Sequence, residues 1–213
     1  CWVDVPMNIQ SSFIEEDELV RFGPKSIVAD ILPEHDLDEK VQDICSQLRS
    51  ATRPVVWLGH GIRLAGAASL LPKLLQQIPA AYLVTWAGID MIESDHPLVF
   101  GRAGVYGQRC ANFVLQNCDF LLTIATRLAL PLIGYDTKEL ARDAKMAVVD
   151  IDPTELAKYP ERFDITVCSD AKIFIEALLK STAENPIEES ADWIKRCGAY
   201  RKQFPWVGAE HKD

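Results

Sequence analysis

Short, continuous apolar runs alternate with stretches whose apolar residues recur every three to four positions. The runs are Pro54–Leu58, Ala81–Thr85, Phe120–Ile124, Met146–Val149 and Ile165–Val167. Their length and lack of alternation fit strands buried on both faces of a parallel sheet. Between and around them lie helical stripes. Leu37, Val41, Ile44, Cys45 and Leu48 form the first, and Leu70, Leu71, Leu74 and Leu75 form a second, in a helix that starts near Ala65 and ends near Gln77. Further helices are expected at Cys110–Gln116, at Thr137–Ala144 with Leu140 and Ala141 inward, and at Ala171–Lys180 with Ile173, Phe174, Ala177 and Leu178 inward. Asp36 or Asp38, Asp152, and Ser169 or Asp170 stand where helix N-caps belong. An amphipathic tail helix, Ala191–Phe204, carries Trp193, Ile194, Cys197 and Tyr200. Strands alternating with helices predict an α/β fold, a parallel sheet with helices on both faces.

The flanks follow no such pattern. The chain opens on Cys1 rather than Met, and Cys1–Val5 reads as a strand or extended segment of a preceding domain. Ser11–Pro33 has mixed charge and no period, as a linker does, and its acidic run Glu15, Glu16, Asp17 and Glu18 reads as a solvated face. Ser181–Ser190 is a second polar linker. The division expected is an inter-domain segment at 1–33, a central domain at 34–181, and a linker with a tail helix leading to a following domain at 182–213.

The formal net charge of −9 argues against nucleic acid as the main partner and against an anionic membrane surface. Cys1, Cys45, Cys110, Cys118, Cys168 and Cys197 form no Cys-x-x-Cys pair and read as free thiols of a reducing compartment. No histidine pair has metal-ligand spacing, so no metal site is expected. No signal peptide and no membrane-spanning run is visible, and a cytoplasmic location is the default.

The chemistry concentrates after the first run. Pro54–Gly66 reads Pro-Val-Val-Trp-Leu-Gly-His-Gly-Ile-Arg-Leu-Ala-Gly: strand, glycine turn, helix. Such a turn lies at the carboxyl edge of a parallel sheet, where ligands bind. Gly59 and Gly61 permit close backbone approach, and the helix start offers amides to an anion. The dinucleotide fingerprint is incomplete, with Leu64 at the third glycine position. A plain βα turn and a nucleotide site both remain open.

Taken together, several stretches resemble the thiamine diphosphate enzymes of the acetolactate synthase type. Trp2–Gln10 is similar to the segment that leaves their first domain, and Pro54–Gly66 to the opening of their middle domain. Gly101-Arg-Ala-Gly104, followed by Ala111-Asn112 and Cys118-Asp119, resembles their Gly-Met-His-Gly stretch. Ile124-Ala-Thr-Arg127 resembles their Gly-x-Arg turn. Val148-Val-Asp-Ile-Asp-Pro153 and Cys168-Ser-Asp170 match two further landmarks in the right order. The likeness runs from about Cys1 to Leu179 and is specific through order and spacing.

The resemblance implies a six-stranded Rossmann-like sheet and a larger protein of which this is the central domain, working with other domains of the same polypeptide as a homo-oligomer. It implies decarboxylation of a 2-keto acid and carboligation, with thiamine diphosphate and Mg²⁺ supplying the chemistry. The activating glutamate and the Gly-Asp-Gly…Asn motif are expected outside residues 1–213, so this chain alone is expected not to be catalytic. The middle domain of such enzymes holds FAD, ADP or nothing. Carried over by position, the cofactor candidates are Gly59, His60, Gly61, Thr85, Trp86, Gly101, Arg102, Gly104, Arg127, Asp150, Ile151 and Asp170. Arg102 and Arg127 suit diphosphate oxygens, and Asp150 suits ribose hydroxyls.

Three departures favour a domain without flavin, a spacer and oligomer scaffold. His60 replaces a middle glycine, Arg102-Ala103 replaces Met-His, and Leu128-Ala129-Leu130-Pro131 replaces charged residues after Arg127. Simpler roles stand beside the functional ones: Arg127 as partner of an acidic neighbour, Asp152 as a cap, Trp57 as core, and Trp193, Phe204 and Trp206 as anchors of the tail helix. Two rivals remain, a stand-alone nucleotide-binding module and a Rossmann oxidoreductase. Against the second stand the missing third glycine and the long distance from Gly61 to Asp150.

Overall fold

The computed structural model describes residues 3–19 and 36–207. The chain divides into two units, residues 1–32 and 33–213. In the first, Pro6 opens a single helical turn, α1 (Met7–Gln10), and Gln10 Nε2 donates to the Val5 carbonyl at 2.7 Å. Val3–Pro6 forms no strand: extended backbone becomes a strand only beside a partner, and Val3 and Val5 are exposed. Cys1 and Trp2 lie outside the described residues. Glu16–Glu18 makes one 3₁₀ turn, with Glu15, Glu16 and Asp17 exposed. Residues 20–33, the rest of the expected linker, also lie outside the described residues.

The second unit is a parallel sheet of β1 (Pro54–Leu58), β2 (Ala81–Val84), β3 (Phe120–Ile124), β4 (Lys145–Asp150) and β5 (Ile165–Cys168), in the order β2-β1-β3-β4-β5. The sixth strand survives in reduced form as segment 98–101. Tyr82 N–H donates to Leu98 O at 2.8 Å, Phe100 N–H to Tyr82 O at 2.9 Å and Val84 N–H to Gly101 O at 3.0 Å. Counting that segment, the chain-order sequence across the sheet is 3-2-1-4-5-6, the doubly wound arrangement. Strand order reverses between β1 and β3, where Trp57 stands beside Thr123 and Leu58 beside Ile124.

The strands read as continuous apolar runs because each face meets its own layer. Val56, Leu58, Tyr82, Leu122 and Val149 point into one core with α2 (Leu37–Ser50), α4 (Leu71–Gln77) and α8 (Ala171–Glu184). Val55, Trp57, Leu83, Leu121 and Val148 point into the other with α5 (Arg109–Gln116) and α9 (Ala191–Gln203). Trp193, buried, donates from its indole N–H to Pro54 O at 3.2 Å, and Phe113 stacks on Tyr200 and Phe204 with centroids 5.5 and 5.1 Å apart. The tail helix is thus docked on the sheet. Cys45, Cys110, Cys118 and Cys197 are buried free thiols; burial pushes Cys110 up to about 11 and Cys118 to about 12, keeping both protonated. Among the described residues no helix is long and apolar enough to cross a membrane.

Three helices differ from expectation. After β1 a short helix, α3 (Gly61–Leu64), begins at the turn itself and stops at Gly66, whose φ of +67° is left-handed. A 3₁₀ turn, Ala68–Leu70, then leads into α4. Thr137–Ala144 is no helix beyond one 3₁₀ turn, Thr137–Glu139. The Arg162 guanidinium takes the carbonyls of Leu140, Ala141 and Ala144 at 2.8, 2.6 and 3.1 Å, and Ala141 sits at a φ of +43°, although Leu140 and Ala141 are buried as expected. Finally, α8 runs on to Glu184: Ser181 and Thr182, expected in a polar linker, are buried, and the Thr182 hydroxyl satisfies itself on Leu178 O at 3.0 Å. A single turn of helix, α6 (Leu130–Ile133), follows β3; Asp152 and Asp170 cap α7 (Pro153–Leu156) and α8, whereas Asp36 makes no cap bond to α2.

Candidate functional site

The loops that leave the carboxyl ends of the five strands surround a cavity of about 790 Å³. It lies at the reversal of strand order, the position at which doubly wound sheets bind ligands. His60 and Gly61 enter it after β1, Thr85 and Trp86 after β2, Arg127 after β3, Asp150 and Ile151 at the end of β4, and Asp170 after β5. Eight of the twelve candidate residues therefore meet in one place.

The other four do not line it. Gly59 lies beneath the loops: its N–H donates to Ile124 O at 2.9 Å, and a Cβ there would come within 1.9 Å of Ala125 O. A Cβ on Gly61 would reach 2.7 Å from Ala125 Cβ, and the Gly61 N–H donates to Ala125 O at 3.2 Å. Both glycines are needed because the loop after β1 crosses the loop after β3, where Ala125 has a φ of +52°. The Ile62 and Arg63 amides donate to Gly59 O and His60 O. With one turn of helix and its first amides bonded, this turn offers no open anion cradle, contrary to expectation.

Gly101 and Arg102 line a separate hollow of about 220 Å³ with Gln108 and Trp206. Gln108 Oε1 accepts the Arg102 amide at 2.8 Å. Gly104, at φ +134°, exchanges hydrogen bonds with the Asn112 side chain at 2.8 and 3.0 Å. The glycine stretch 101–104 thus holds its own loop.

At the cavity, His60 Nδ1 lies 2.8 Å from the Ala87 carbonyl. A carbonyl only accepts, so Nδ1 carries the proton and the ring ties the first loop to the second. Arg63 and Asp90 reinforce that tie at 2.7 Å. Trp86, 56% exposed, meets Tyr106 edge to face at 6.3 Å.

The floor is acidic. Asp150, Asp152, Glu155 and Asp170 all line the cavity. Arg127 places Nε and Nη2 on Glu155 Oε1 at 3.1 and 3.0 Å, and Lys158 holds the other carboxylate oxygen. Burial alone pushes Glu155 up, but the hydrogen bonds and charges of Lys158 and Arg127 bring it below the usual carboxylate range. Asp150 has no such cation. Burial raises it, the Asp152 amide donating to Oδ1 at 3.0 Å lowers it, the charges of Glu155 and Asp152 raise it, and it ends above its ordinary value. Arg127 has taken the simpler of its two expected roles, and Asp152 is a cap, accepting from Thr154 N–H at 2.8 Å.

Sequence reasoning missed Glu155, Thr126 and Leu132 in this lining. Glu155 had a signal: Asp152-Pro153-Thr154-Glu155 has the spacing of a capping box. Its carboxylate goes to Arg127 and Lys158 instead of back to the cap. Nothing local marks Thr126 or Leu132.

The cavity has the size and mixed lining of a small-molecule site. Its residues supply an indole at the mouth, apolar walls and the Asp150 carboxylate. They do not fit the diphosphate of FAD or ADP. Among the described lining residues four carboxylates face one guanidinium, already paired. Among the described residues, too, no group of three or more His, Cys, Asp or Glu is placed to hold a metal ion. The Mg²⁺-bound diphosphate of thiamine therefore finds no seat on them, and no step of its chemistry is assigned to them.

Residues 41–178 match the family described as thiamine pyrophosphate enzyme, central domain. The chain belongs to that family. It is 27% identical to a probable acetolactate synthase large subunit of Methanocaldococcus jannaschii over 94% of this chain and 34% of the relative. It is 25% identical to the acetolactate synthase isozyme 1 large subunit of Escherichia coli over 96% of this chain and 34% of the relative. A chloroplastic acetolactate synthase 1 of Zea mays is 26% identical over 95% of this chain and 32% of the relative. The chain spans about a third of the length of these relatives. As a thiamine pyrophosphate enzyme central domain it has the sheet that the resemblance implied. Nothing in the matches supports the oxidoreductase reading.

Proposed function

We propose that this chain is the central domain of an acetolactate synthase-like polypeptide that decarboxylates a 2-keto acid such as pyruvate and joins the resulting two-carbon unit to an acceptor. The family match over residues 41–178 carries this reading. Thiamine diphosphate with Mg²⁺ supplies the carbanion chemistry in such a polypeptide. The part of this chain is architectural. Its sheet fixes the carboxyl-edge loops, the His60–Ala87 and Arg63–Asp90 contacts latch two of them together, and α9 is fastened to the sheet by Trp193. Homo-oligomeric assembly, contact with other domains of the same polypeptide and a cytoplasmic setting belong to the same proposal. The bonded amides at Gly61–Arg63 and the acidic cavity floor favour a domain without FAD or ADP over one that holds them.

The test is an assay of the longer polypeptide that carries this chain, with pyruvate and a panel of other 2-keto acids. CO₂ release and a carboligation product that require both thiamine diphosphate and Mg²⁺ are expected. No cofactor-dependent CO₂ release from any 2-keto acid of the panel would overturn the proposal.

A further inference from the structure

We infer that the hollow between the turn Thr137–Glu139 and the segment that leaves α7 binds a phosphate group, free or as the monoester of a small molecule. None of its lining residues lines the carboxyl-edge cavity, and the inference is independent of the thiamine chemistry proposed for the whole polypeptide.

The hollow holds about 470 Å³, and Thr137, Lys138, Lys158, Tyr159, Glu161 and Arg162 line it. Three of these are cations, in a chain whose formal net charge is −9. Arg162 is the centre. Its Nε and Nη2 are spent on the carbonyls of Leu140, Ala141 and Ala144, which fix the guanidinium in place. Carbonyls satisfy N–H groups but bring no countercharge. Among the described residues no carboxylate pairs with Arg162. Asp164, the acid whose charge acts on it against burial, accepts from Met146 N–H at 2.7 Å instead. A half-buried cation without a counterion favours an anion beside it.

The donors are open. Nη1 of half-buried Arg162 makes no hydrogen bond among the described residues, and neither do the Tyr159 and Thr137 hydroxyls. The occluded, unpartnered side-chain atoms of the described residues belong to Trp57, Gln116, Thr126 and Trp206, so these three groups are accessible. Lys138 is exposed, and its ammonium has no acceptor among the described residues. Asp136 beside it accepts the Lys138 backbone N–H at 3.0 Å, and Glu139 pairs with Arg142 at 2.9 Å. Lys158 spends its charge on Glu155. Two unpaired cations and two hydroxyls offer more donors than the two oxygens of a carboxylate use, whereas a phosphate monoester brings three acceptor oxygens and up to two negative charges. Glu161 is the one carboxylate of the lining and opposes an anion.

The experiment titrates inorganic phosphate, glycerol 3-phosphate and acetate into the chain by calorimetry at fixed ionic strength, and repeats the titrations on Lys138→Gln and Glu161→Gln. Both side chains are exposed, so neither substitution is expected to move the melting temperature. One saturable site with a Kd of about 1 mM or below is expected for at least one phosphate probe, with acetate at least about tenfold weaker. The tighter of the two phosphate probes tells whether the free ion or a monoester is the ligand. Lys138→Gln is expected to weaken that probe about tenfold and Glu161→Gln to tighten it about threefold. No saturable phosphate binding, acetate bound as tightly as phosphate, or an affinity that fails to fall in Lys138→Gln or to rise in Glu161→Gln would each overturn the inference.

Discussion

At the scale of single residues, contact distances decide most of what matters at the sheet edge. Gly59 has an ordinary φ, yet the Ala125 carbonyl occupies the place of a side chain at 1.9 Å. Gly59→Ala is expected to lower stability by about 3 kcal/mol in urea denaturation, because backbone on both sides must shift. Gly66→Ala, strained at φ +67° but in open space, is expected to cost about 1 kcal/mol. Equal losses would refute the loop-crossing role. Asp150 offers a pH test. Its folded-state carboxyl titrates above its ordinary value, so ionising it opposes folding. The penalty is absent below the unfolded-state value and develops as pH rises through the raised folded value. Asp150→Asn, which still accepts the Asp152 amide, is expected to melt higher than wild type at neutral pH, with the gap closing in acid. A gap that persists at low pH would show that charge is not its cause. The residue types at the edge were legible in the sequence, and eight of twelve candidates share the cavity. The roles of Gly59 and Gly101 were not, since both are set by residues distant in sequence and close in space, Ala125 and Trp206 among them.

At the scale of elements, strands were easier to read than helix limits. A run buried on both faces leaves a mark that tertiary context reinforces, as in β1 and β3. A stretch such as Thr137–Ala144 has helical spacing, but its carbonyls are claimed by Arg162, eighteen residues beyond Ala144. No local pattern announces that. The tail helix α9 was legible as amphipathic, and Trp193 shows why it stays docked. Trp193→Ala removes a buried indole and its bond to Pro54 O and is expected to cost about 4 kcal/mol. It should also make Cys197, now fully buried, reactive to a thiol reagent. A loss under 1 kcal/mol with Cys197 still protected would mean that α9 is held elsewhere.

At the scale of the whole molecule, the order of landmarks along the chain was more informative than any one of them. The sheet that results is the doubly wound arrangement with its third position reduced to segment 98–101. Its carboxyl edge exposes Trp86, Val105, Tyr106, Leu130 and Tyr135, an apolar surface suited to contact with neighbouring domains. The chain on its own is therefore expected to self-associate weakly, with a sedimentation coefficient that rises with concentration; a constant monomer value at high concentration would contradict this. At the positions to which the family likeness points, the amides of Gly61, Ile62 and Arg63 and the Arg127 guanidinium are engaged within the protein. The most direct measurement is a calorimetric titration of thiamine diphosphate with Mg²⁺ into this chain and into the longer polypeptide that carries it. A central domain predicts saturable binding to the longer polypeptide and none to residues 1–213 alone. Stoichiometric binding to this chain by itself would contradict the central-domain assignment.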